Sequence, residues 1–181
     1  MARRRRDTTA GIFHVFTHCV WAADSLYRDD EDRSTFLREL ARATAKGRWR
    51  CAAYCLMGTH YHLILDVDAD ALARGMHALN FRYAVGFNKR HGMKGHVLGT
   101  RYNAFHITGE ASLLSRFKYV ARNPVEAGLC ESPAEWPWSS YAGTIGLRPA
   151  SSFVDDTAVL SCLDSPLELA RGRLHRYVSD P

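Results

Sequence analysis

The chain has 181 residues, 46% of them hydrophobic and 24% charged, which is enough apolar material for the core of one domain and excludes wholesale disorder. No apolar run reaches the length of a bilayer span, and Arg3-Arg4-Arg5-Arg6 is followed by polar residues rather than the apolar stretch of a secretory signal, so a soluble, cytoplasmic protein is expected. The five cysteines (Cys19, Cys51, Cys55, Cys130, Cys162) are scattered and lack a CxxC pair, arguing against a disulfide framework or structural zinc, while a net charge of +5 favours a polyanionic partner.

Residues 12–22 are rich in β-branched and aromatic types and read as a buried first strand. Acidic residues 29–32 then open a first helix, with Phe36, Leu37, Leu40, Ala41 and Thr44 at helical spacing and Gly47 as its stop. Trp49 to Met57 and His60 to Val67 are strand-like runs separated by Gly58-Thr59, an antiparallel hairpin. A second helix carries the stripe Leu72, Met76, Leu79, Tyr83, Phe87 and ends at Gly92, after which residues 92–99 read as a mobile basic loop. Tyr102 to Ile107 suits a fourth strand, and Thr108 or Gly109 caps a third helix that buries Leu113, Leu114, Phe117 and Val120. Asn123-Pro124 is a stop signal for that helix, because a residue before proline disfavours helical geometry. From Cys130 the chain is loop-rich until Ser165-Pro166 starts a last helix bearing Leu167, Ala170, Leu174 and Val178.

The order βαββαβ predicts an α+β, ferredoxin-like fold: one antiparallel sheet, helices packed on one face, then a further helix and a C-terminal helical extension. The expected organisation is a basic arm over residues 1–11, a domain over 12–130 and an extension over 131–181 packed on that domain.

Strand alternation puts His60 and His62 on one face and Tyr61, Leu63 and Leu65 on the other. Two imidazoles at this spacing can share a divalent ion, although such pairs also arise in strands by chance and a third ligand is required. On the third helix Tyr119 shares a polar face with Ser112, Ser115, Arg116, Arg122 and Asn123, opposite the apolar stripe. Asn123 lies about one turn from Tyr119, so its side-chain oxygen could serve an ion near that hydroxyl; taken alone, the same pattern also describes a surface tyrosine before a helix stop. His14 and His18 share a strand face within an apolar run, where packing is the ordinary role. Trp136 and Trp138, with Pro137 between them, suit base stacking or a packed loop equally.

Phe13-His14-Val15, the segment Met57-Gly58-Thr59-His60-Tyr61-His62-Leu63-Ile64-Leu65, the segment from Tyr119 through Asn123-Pro124 to Leu129, and Trp136-Pro137-Trp138-Ser139-Ser140-Tyr141 together resemble the REP-associated tyrosine transposases, a branch of the HUH single-tyrosine transposases. The resemblance spans about residues 12–145. It implies a ferredoxin-like fold, Tyr119 as nucleophile, His60, His62 and Asn123 as ligands of Mg²⁺ or Mn²⁺, and cleavage and rejoining of single-stranded, hairpin-bearing DNA through a 5′-phosphotyrosine intermediate. It further implies a monomer, with a homodimer as the alternative, associated with a bacterial nucleoid. Gly58-Thr59 and Tyr61 depart from the family's usual Pro-Asn and Val, and neither removes a catalytic group.

The candidate phosphate contacts are Arg3, Arg4, Arg5, Arg6, Arg82, Lys89, Arg90, Lys94, Arg101, Arg116 and Arg122. Two other readings compete: a non-catalytic single-strand-binding domain, and a metal-dependent nuclease that activates water.

Overall fold

In the computed structural model, residues 10–19, 25–46, 49–68, 71–99, 101–163 and 165–180 are described. The alternation read from β3 (His60–Val67) organises the whole sheet, because β3 is flanked by β1 (Gly11–His18) and β2 (Trp49–Leu56) and its two faces meet different helices. With β4 (Asn103–Ile107) beside β1, the order is β2-β3-β1-β4, antiparallel throughout. This is the strand order of the split βαβ arrangement that the element sequence predicts.

On one face, Phe13, Val15, Tyr61, Leu63, Leu65 and Val67 pack against α1 (Asp30–Lys46) and α2 (Ala71–His91). The α2 stripe read from the sequence is buried throughout (Leu72, Met76, Leu79, Tyr83, Phe87), whereas on α1 Phe36 and Leu40 are buried with Ala43, and Leu37, Ala41 and Thr44 of the expected stripe are half-buried. Two tyrosine hydroxyls on this side are committed to partners, whereas Tyr27 Oη and Trp49 Nε1 are enclosed without one. Tyr61 Oη donates to Asn80 Oδ1 at 2.7 Å, and Tyr83 Oη to the Leu26 carbonyl at 2.5 Å.

The opposite face is covered by α3 (Glu110–Glu126) and by α4 (Tyr141–Thr144), α5 (Thr157–Ser161) and α6 (Leu167–Ser179), which share a second core built on Ala53, Cys55 and Ile64. A register shift between Cys51 and Ala53 lets β2 place both Ala52 and Ala53 in that core. The segment after residue 130 is tied to β2 by backbone bonds from Leu56 N–H to the Trp138 carbonyl and from Ser140 N–H to the Tyr54 carbonyl.

β1 spans Gly11–His18, with Cys19 bridged to Leu98, and residues 20–22 of the expected strand lie outside the described residues. Two local expectations change. That bridge, the buried Val97 and the bond from Gly99 N–H to the His18 carbonyl pin the segment after Gly92 onto the end of β1, where a mobile loop was expected. Finally, α3 does not stop at Asn123. Pro124 sits inside it with its ring buried, and the helix closes three residues later, where Gly128 (φ 69°) donates to the Val125 carbonyl and Leu129 to the Pro124 carbonyl. That left-handed glycine closure satisfies the last carbonyls, and the buried ring compensates for the hydrogen bond that proline forfeits.

Candidate active site

The β1–β3 register pairs His18 with His60 and Phe16 with His62, so the side chains that alternate away from α1 and α2 assemble a histidine cluster beneath α3. His18 and His60 have ring centroids 4.9 Å apart, His60 and His62 5.0 Å, and His14 and His62 5.1 Å. The tightest contact is a hydrogen bond of 2.9 Å between His14 Nε2 and His62 Nδ1, both residues being buried. His60 Nδ1 is engaged at 3.1 Å by Thr59 Oγ1.

Burial favours the uncharged form of His14, His60 and His62. It lowers His14 to about 4, helped by the positive Arg116, and lowers His62 to about 3, helped by the adjacent His14 and His60. His60 is lowered by burial and then by His18. The Asn123 side chain acts in the opposite direction on both His60 and His62, which puts it in the neighbourhood of both imidazoles. Its nitrogen is held by the Tyr119 carbonyl at 3.0 Å, one turn back on the same helix, which leaves the amide oxygen uncommitted by that bond. The helix that continues through Pro124 therefore preserves the one-turn relation between Asn123 and Tyr119.

Tyr119 is 40% exposed, unlike the tyrosines on the other face, and its ring stands edge-on to His62 at 5.5 Å and to His14 at 5.9 Å. The Arg116 guanidinium lies 5.4 Å from the centre of that ring. Among the described residues no group of three or more His, Cys, Asp or Glu is placed to hold a metal, so any site here depends on Asn123 as a neutral oxygen donor. The donor set fits a divalent cation. His62 Nε2 is enclosed yet has no hydrogen-bond partner, and neutral imidazole is the ligating form. With His62 Nε2 kept as a lone pair, the proton resides on Nδ1 and is donated to His14, an outer hydrogen bond of the kind that orients metal ligands. Sequence reading left His14 as a packing residue; its shared face with His18 was visible, but the contact with His62 arises only from strand pairing.

The predicted phosphate contacts divide. Arg116 borders the site. Lys89, Lys94 and Arg101 are exposed and make no ion pair among the described residues. Arg82 is bound to Glu39 at 2.5 Å, and Arg90 to Asp29 and Asp32 at 2.7 and 2.6 Å. Arg122 donates to the carbonyls of Val178 and Asp180, at 3.1 and 3.2 Å, and so fastens the end of α6. These three guanidiniums are committed within the protein. Arg3 to Arg6 lie outside the described residues.

No family model matches the chain, and neither does any curated protein. Among solved structures, a REP-associated tyrosine transposase bound to a REP hairpin is similar, with a TM-score of 0.70 over 87% of this chain and 96% of that one, at 17% identity. The two proteins share a fold. No helix among the described residues is long and apolar enough to cross a membrane.

Proposed function

We propose that this chain is a single-tyrosine transposase that cuts and rejoins single-stranded DNA, with Tyr119 as the attacking group. The observation that carries the reading is the pairing of His60 with His62 at 5.0 Å, with His62 Nε2 enclosed and unpartnered, Asn123 acting on both rings and the Tyr119 ring beside them. The similar fold of a transposase bound to a DNA hairpin supports it.

His60, His62 and Asn123 would hold a divalent cation, Mg²⁺ or Mn²⁺, which supplies charge neutralisation at the phosphoryl oxygens when bound. Tyr119 Oη gives up its proton as it attacks phosphorus, forming a 5′-phosphotyrosine, while the bond to the 3′ oxygen breaks and that oxygen takes up a proton and leaves as a 3′-hydroxyl, so no net proton is released. Attack on the phosphotyrosine by another 3′-hydroxyl returns the tyrosine and restores a phosphodiester, so the energy of the broken bond is retained. Arg116, beside the Tyr119 ring, offers positive charge to the approaching phosphate. His14 holds His62 in the required orientation. Arg101, Lys89 and Lys94 are exposed cations for the backbone beyond the site, with the Arg3–Arg6 arm as a further contact. The protein acts on hairpin-bearing single strands in the bacterial cytoplasm, as a monomer.

The test is incubation of the full chain with Mg²⁺ or Mn²⁺ and labelled single-stranded hairpin DNA, followed by denaturing electrophoresis. A protein–DNA adduct in wild type and none in Tyr119→Phe is expected. Cleavage that persists in Tyr119→Phe without an adduct would establish water as nucleophile and overturn the proposal, as would binding without cutting across a set of hairpins.

A further inference from the structure

β4 forms one edge of the sheet, and each residue from Asn103 to His106 is exposed. Edges left open to water are normally blunted by charge, yet Asn103-Ala104-Phe105-His106-Ile107 carries no Lys, Arg, Asp or Glu. Phe105 is 54% exposed and is the cross-strand neighbour of His14, on the face that holds the histidine cluster. Its ring stacks on Phe16 at 5.9 Å and 19° between planes. Phe16, half-buried, in turn lies 5.7 Å from His62 and 5.3 Å from His14. Flat rings thus run without a break from the cluster to the sheet edge, and they end in an aromatic surface open to solvent.

We propose that Phe105, backed by Phe16, is a stacking platform for one unpaired nucleobase beside the phosphate attacked by Tyr119. The inference rests on the reading of Tyr119 given above, and it names what flanks that phosphate. A base in duplex has both faces covered by its neighbours, so an open ring face selects unpaired nucleotides, without requiring a particular base. Positive charge lies on both sides of the platform: Arg101 precedes β4 by two residues, and Arg116 borders Tyr119. A polyanion whose bases are free to stack matches both features. A second copy of the chain pairing along β4 would use the same edge, but would not need the ring path into the cluster.

The experiment uses the full chain as Tyr119→Phe, so that binding is read without cleavage. Oligothymidylate in which single positions carry 5-iododeoxyuridine is irradiated with the protein, and the crosslinked residue is identified by mass spectrometry. A crosslink at Phe105 is expected, together with single-strand affinity at least about fivefold weaker in Phe105→Ala and kept in Phe105→Trp, as expected for the loss of one stacked base. Because Phe105 is exposed, circular dichroism of Phe105→Ala should match the parent. No crosslink at Phe105 and unchanged affinity would overturn the platform. So would an alanine variant that alters elution volume while binding DNA as before, which would assign the edge to a second copy. Adduct formation by protein retaining Tyr119 is scored separately. An adduct with no role for Phe105 removes only the platform, whereas a Phe105 crosslink with no adduct removes only the nucleophile assignment.

Discussion

The two faces of the sheet are made by alternate residues of the same strands, and they are chemically opposite. Toward α1 and α2, Tyr61 and Tyr83 are enclosed, their hydroxyls are bonded, and burial pushes their ionisation up. Toward α3, His14 and His62 are enclosed with one ring nitrogen each left over, and Tyr119 stands open to solvent. Satisfied polar groups stabilise a fold, whereas an enclosed nitrogen without a partner costs stability and is tolerated where it serves a ligand. On the proposed function, one face holds the molecule together and the other holds its chemistry, although Tyr27 Oη and Trp49 Nε1 on the packed face are also enclosed without partners.

The sharpest way to break this comparison is to exchange the two tyrosine environments. Tyr119→Phe should abolish the covalent adduct with thermal stability nearly unchanged; a fall in melting temperature like that of a core variant would place Tyr119 among the structural tyrosines. Leu63→Ala, which opens a cavity on the packed face, should cost about 2–5 kcal/mol in denaturant unfolding and leave Mn²⁺ affinity intact at temperatures where the variant is folded. Next in size, His14→Phe should weaken Mn²⁺ binding about 10- to 100-fold by calorimetry, as loss of an orienting outer hydrogen bond does. Unaltered affinity there would return His14 to packing.

Acid sharpens the contrast without mutation. His14 and His62 are depressed to about 4 and about 3 from an ordinary 6.5, so the unfolded chain takes up their protons first. The contribution of these neutral rings is present in full above pH 6.5 and is lost as the pH falls toward about 4 and then 3. Unfolding curves of metal-free protein should show this slope, and His14→Phe should flatten it. The smallest effect is expected from Arg122→Ala, about 1–2 kcal/mol of stability for two lost bonds to carbonyls, with the salt dependence of DNA binding unaltered. A shallower salt slope in that variant would put Arg122 on DNA after all.

Much of the fold was legible because it rests on local periodicity. The shared face of His60 and His62 follows from strand alternation, and the exposed position of Tyr119 follows from the stripe of Leu113, Phe117 and Val120. What escaped is what depends on distant chain. The His14–His62 bond needs the β1–β3 register. The internal commitment of Arg82, Arg90 and Arg122 needs Glu39, Asp29 and Asp32, and the C-terminal carbonyls, to arrive beside them. Composition counts these cations but says nothing of their partners. Pro124 misled for a different reason: its local preference was overridden by burial of the ring and by the closure at Gly128.

That proline bears on how long the site can last. Asparagine side chains decay when the backbone nitrogen of the next residue attacks the amide carbon, closing a ring that opens to aspartate or isoaspartate. After Asn123 that nitrogen belongs to Pro124 and carries no hydrogen, so the ring closure lacks its nucleophile. The amide of the proposed donor set is thereby shielded from the ordinary chemical ageing of asparagine.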